Sequence, residues 1–143
     1  MTLEKNTITP ELKVSDFQNS LDFYTQMAGF KILYKRPETD FAMLGIGNSR
    51  LMIEGITEKS RTWETGELEK PLGRGINFQI EIGDVQNIYE SFNKESYPMF
   101  LEMEEKWYRQ DNIEVGHKQF LVQDPDGYLL RFFQNLGNRP VKT

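Results

Sequence analysis

Few residues in this chain have side chains able to do chemistry. It has no cysteine, so thiol nucleophiles, thiolate metal sites and disulfides are excluded. Its single histidine, His117, cannot by itself build a metal centre that needs three protein ligands, and it reads as a strand-end residue at the mouth of a closing hairpin. No nucleotide fingerprint or Ser-His-Asp set is present, and Gly45-Ile-Gly47 lacks the third glycine and the strand-to-helix setting of a phosphate loop. The informative residues are aromatic and acidic. Glu102, Glu104 and Glu105 run into Trp107 and Tyr108, and Trp63 stands in a second polar stretch. Flat rings beside carboxylates sandwich planar heterocycles and cations, so this composition favours holding a molecule over transforming one.

The elements that position these residues come from a repeat. Ile8-Thr-Pro-Glu-Leu-Lys-Val-Ser-Asp-Phe-Gln-Asn and Ile76-Asn-Phe-Gln-Ile-Glu-Ile-Gly-Asp-Val-Gln-Asn superimpose without a gap at an offset of 68 residues. Each copy alternates like a half-buried strand, reaches an Asp suited to cap a helix, and continues with apolar residues at helical spacing. In the first copy these are Phe17, Leu21, Tyr24 and Ala28, with Gly29 placed for a left-handed stop; in the second they are Val85, Ile88, Tyr89 and Phe92. Three short strands follow each helix, and Asp124-Pro-Asp-Gly127 turns the last hairpin. The expected fold is α+β, with two tandem βαβββ modules forming a curved mixed sheet around a cleft in one domain over residues 1–143. Module 1 covers about 8–55, a linker 56–73 and module 2 about 74–135. A second excursion, Glu104 to Gly116, interrupts the last three strands as a loop. If both excursions fold over the cleft mouth, Phe41, Trp63, Trp107, Tyr108 and Phe120 come within reach of a ligand.

Composition narrows the partners. At 143 residues the chain is long enough for a proper core, and a formal charge of −5 disfavours nucleic acid, whose binding relies on Lys and Arg neutralising phosphates. Neither the opening MTLEKNTITP nor any later run has the apolar length of a signal peptide or a membrane span. A soluble cytosolic protein with no nucleic-acid or membrane partner is expected.

The βαβββ repeat, the pattern Val14 to Tyr24 and the motif Phe120 to Leu130 with its Asp-Pro-Asp-Gly-Tyr together resemble the glyoxalase/bleomycin-resistance (vicinal oxygen chelate) superfamily over nearly the whole chain. That resemblance implies a cavity enclosed by curved sheets and often a homodimer, with metal enzymes and pure binders both represented. Its metal enzymes hold a divalent ion through positions that fall here on Thr9, Glu54, Asn77 and Arg131. A hydroxyl and an amide are poor ligands, and a guanidinium repels the ion, so no metal and no cofactor is expected. Strand alternation puts Glu11, Lys13, Gln79, Glu81, Met52 and Phe133 on the same lining, where a Glu54–Arg131 bridge could fill the metal's place. The resulting expectation is a non-catalytic homodimer, nearest the bleomycin-resistance branch, sequestering a cationic, partly planar small molecule in an interface cleft. The alternative is a metal-dependent lyase or dioxygenase. The ligand-binding residues expected are Phe41, Glu54, Trp63, Asn77, Trp107, Tyr108, Phe120 and Arg131.

Overall fold

Alternation builds the first strand as anticipated. In a computed structural model describing residues 8–57 and 63–142, Leu12 and Val14 are buried in the apolar core, so Glu11 and Lys13 point to the opposite face. This strand, β1 (Glu11–Val14), leads into α1 (Phe17–Asp22), whose last turn widens over Phe23–Met27. Asp16 is extended at φ −136°, and its carboxylate accepts the Asn19 N–H at 3.1 Å, satisfying one of the helix's orphan donors. Gly29 closes the helix at φ +83°, where a Cβ would also strike Ile88 Cδ1 at 2.8 Å. Strands β2 (Lys31–Arg36), β3 (Phe41–Ile46) and β4 (Ser49–Gly55) complete the module.

The second module repeats the plan with β5 (Asn77–Glu81), α2 (Val85–Lys94), β6 (Leu101–Gln110), β7 (Ile113–Gln123) and β8 (Leu129–Pro140). Asp84, the repeat partner of Asp16, is extended at φ −138° and accepts the Asn87 N–H at 3.2 Å. The fold is α+β. Each module carries a four-stranded mixed sheet, ordered β1-β4-β3-β2 and β5-β8-β7-β6, in which the first strand runs parallel to the last. β8 continues to Pro140, beyond the expected end of the module near 135.

One apolar core serves both modules. Phe23 of the first meets Phe92 of the second at 5.5 Å between ring centroids, and Phe120 stacks on Phe132. The Asp-Pro-Asp-Gly turn ties the modules together. Tyr24 Oη donates to Asp124 at 2.7 Å, Ser15 donates through its N–H and Oγ to Asp126, and Tyr128 Oη donates to the Lys13 carbonyl. Buried Asp124 is fixed further by the N–H groups of Asp126 and Tyr128. Burial raises its pKa, against the lowering effect of those bonds.

The excursion expected between Glu104 and Gly116 is not a loop. Lys106 to Gln110 pair with Ile113 to His117 in an antiparallel ladder, so β6 and β7 form one long hairpin turned at Asp111. His117 accordingly sits inside a strand. The described part of the linker packs on the module 2 turn: the Leu72 N–H donates to the Asp126 carbonyl and Lys70 pairs with Asp126 at 3.5 Å.

Candidate functional site

Each sheet turns one face away from the core, and the polar residues of the repeat lie there. On the first sheet, register places Glu54 opposite Lys13, and the Lys13 ammonium pairs with its carboxylate at 2.5 Å, both side chains being buried. Glu11 stands 3.6 Å from the same ammonium. The expected Glu54–Arg131 bridge is therefore not formed; Glu54 is held within its own sheet. Phe41 lies on this face, with the Arg36 guanidinium 3.8 Å above its ring and Tyr34 at 5.9 Å.

On the second sheet, Arg131 stands between Gln79 of β5 and Leu121 of β7, and its guanidinium donates to Gln79 Oε1. One step along the same face, Phe133 is flanked by Glu81 and Gln119. Gln119 donates to Glu104 at 2.8 Å and to Tyr108 Oη at 2.7 Å. His117 stacks on Phe133 at 4.0 Å and meets the Tyr108 ring at 5.2 Å. Burial, then the nearby Arg131 charge, lower the His117 pKa below 6.5 against an opposing pull from Glu81. Three polar atoms here are enclosed without a hydrogen-bond partner among the described residues: Arg131 Nε, His117 Nδ1 and Gln119 Oε1. Sequence reasoning named Arg131 but missed Gln119, whose signal was only its place beside Phe120 in an alternating strand.

A cleft of ≈ 910 Å³ lies between the modules, walled by Thr9 and Arg50 from the first and by Asn77, Gln79, Glu81 and Phe133 from the second. It brings the repeat twins Thr9 and Asn77 to one place. Other expected residues lie elsewhere. Phe120 is fully buried against Phe92 and Phe132, because its β7 position points to the helix and not to the polar face. Trp107 is adjacent to Tyr108 on β6 and so points to the opposite face, where it lies over Gly116 with the Arg139 guanidinium 4.1 Å from its ring. A Cβ at Gly116 would sit 2.7 Å from that indole, so the glycine makes room for it. Trp63 is 68% exposed. The acidic shelf also dissolves, since Glu102 accepts from Tyr89 and Glu104 from Gln119.

Comparison with known proteins decides the family. A probable lactoylglutathione lyase of Vibrio cholerae is 30% identical over 130 residues, spanning 87% of this chain and 86% of that protein. The chain belongs to the glyoxalase/bleomycin resistance protein/dioxygenase superfamily. The superfamily's fold recurs in TioX from Micromonospora sp. ML1, at TM-score 0.70 and 19% identity over 92% of this chain and 99% of that one. It recurs again in a bleomycin resistance determinant encoded on the transposon Tn5, at TM-score 0.60 and 20% identity over 92% and 99%. No family model matches the chain.

The divalent ion of the superfamily's enzymes does not fit these residues. Glu54 is neutralised by Lys13, and Arg131 brings a fixed positive charge to the matching place in module 2. Thr9 lies four residues before Lys13, which at about 3.3 Å per extended residue is roughly 13 Å from the level of Glu54, too far to share an ion. Among the described residues, no three of His, Asp and Glu gather as a metal site would require.

Proposed function

We propose that this superfamily member is a metal-independent binding protein that holds a partly planar small molecule in the intermodule cleft, working in the cytosol as a homodimer. The observation that carries the reading is the Lys13–Glu54 pair, which occupies the one plausible carboxylate ligand of the four metal positions. No described helix is long and apolar enough to cross a membrane. The mode of action resembles that of the bleomycin-resistance branch, which holds its ligand without chemistry. The cationic-drug version rested on Trp107 with its glutamates, and those residues turn elsewhere, so bleomycin itself is expected to bind weakly.

A metal-dependent lyase is the second reading, favoured by the lactoylglutathione lyase names of relatives at 25–30% identity. Elemental analysis of protein purified without chelator, paired with an assay for lactoylglutathione formation, separates the two. The binding reading expects substoichiometric metal and no turnover with any added divalent ion. A stoichiometric ion lost on Glu54→Gln would overturn it. Titration with bleomycin reads the drug question directly: saturable heat with a thermal shift would restore the cationic-ligand version.

A further inference from the structure

Resting on the binding reading, we propose that the polar face of module 2 beside the cleft takes a planar anion, a carboxylate on a flat ring system, with Arg131 as its anchor; Arg131 does not line the cleft itself but donates to Gln79, which does. Buried polar atoms are nearly always paired, and an enclosed donor without a partner is costly, so an unpaired cluster needs an explanation. Of the four enclosed side-chain atoms lacking a partner among the described residues, three lie together on the polar face of module 2; the fourth, Ser20 Oγ, is on α1. The cluster consists of a guanidinium N–H, a ring nitrogen of a histidine biased toward neutrality, and an amide oxygen.

Arg131 is the only permanent charge among these three groups. Among the described residues its one hydrogen bond is to the neutral Gln79, and no carboxylate forms an ion pair with it. Held by a single amide, the guanidinium can swing to present two parallel N–H groups to a carboxylate, the geometry arginine serves best. Of the carboxylates near this face, Glu54 is neutralised by Lys13. Arg50, on the module 1 wall of the cleft, also lacks a carboxylate partner among the described residues, where it bonds to the carbonyls of Gly47 and Ser49. Two carboxylates oppose Arg131 on this face, Glu81 and Glu104, the latter bonded to Gln119 and still charged. Glu81 lines the cleft beside Phe133, and Arg131 outweighs it in setting the His117 pKa. Phe133, which lines the cleft with its ring backed by the buried His117, supplies the apolar surface next to the cation.

The test uses a pair of probes matched in shape and opposite in charge, 2-naphthoate and 2-naphthylmethylammonium, titrated calorimetrically into the full chain after chelator treatment. Naphthoate is expected to bind more tightly than the ammonium. Arg131→Gln should weaken naphthoate at least about tenfold, as loss of a charge-assisted hydrogen bond does, while Arg131→Lys retains part of the affinity and shows that charge, not folding, is being read. Glu81→Gln should strengthen naphthoate, because it removes an opposing charge. Preference for the ammonium, an unchanged affinity in Arg131→Gln, the reverse response in Glu81→Gln, or no binding of naphthoate with or without an added divalent ion would each overturn the inference. Binding of naphthoate only after a divalent ion is restored would instead overturn the metal-independent reading, leaving the charge order to be judged on its own.

Discussion

Lys13 and Glu54 form a buried ion pair whose energetics lie in its completeness. Two charges taken from water are repaid only while each has the other, so removing one partner costs more than replacing both. Lys13→Met should therefore destabilise the protein by about 3–5 kcal/mol, the range for an orphaned buried charge. The double variant Lys13→Met with Glu54→Leu should recover most of that loss in urea unfolding; additive losses would show that the two residues act separately. His117 carries the matching pH signature. Its folded pKa lies below the unfolded value of 6.5, so between the two the unfolded chain binds the extra proton. Stability is then expected to fall as pH drops below 6.5 and to level off beneath the folded pKa. His117→Gln should remove that slope from urea midpoints measured across the range; an unchanged slope would assign it to other groups.

Elements that announce themselves by local chemistry were legible in the sequence, and those that depend on partners were not. Asp16 and Asp84 cap their helices, Gly29 takes its positive φ, and both modules keep the βαβββ order, because caps, stops and alternation are written into neighbouring residues. Lys106 to Gln110 gave no strand signal. Both faces of that hairpin arm are half in water, so its residues do not alternate between apolar and polar. Trp107 was placed in a ligand shelf for the same reason, when its indole in fact covers Gly116 and receives Arg139. The Lys13–Glu54 pair was hidden because strand register between β1 and β4 is a long-range property. Trp107→Ala should consequently lower stability by about 1–2 kcal/mol, through lost packing and the cation–π contact, while leaving naphthoate affinity within about twofold, below the 1.4 kcal/mol that a tenfold change represents. A large loss of affinity with stability intact would return the residue to the site.

At the scale of the whole molecule, β2 presents an exposed apolar surface. It is the outer strand of the first sheet, and all six of its residues are exposed, including the consecutive Ile32, Leu33 and Tyr34 at 41%, 48% and 48%. An edge strand with unpaired backbone groups and large apolar side chains is a surface that soluble proteins ordinarily cover or charge. Lys31, Lys35 and Arg36 supply charge at its ends, but the middle is bare. A second copy of the chain would bury it, and a homodimer is the assembly the superfamily resemblance implies. Sedimentation velocity over a wide dilution range should show a dimer. Leu33→Lys should shift it toward monomer while leaving the circular dichroism spectrum unchanged, because Leu33 is outside the apolar core. A wild-type chain that stays monomeric at the highest concentration would remove the dimer from the proposed function. A dimer indifferent to Leu33→Lys would move the interface off β2, with the free edges of β1 and β5 next to be tested.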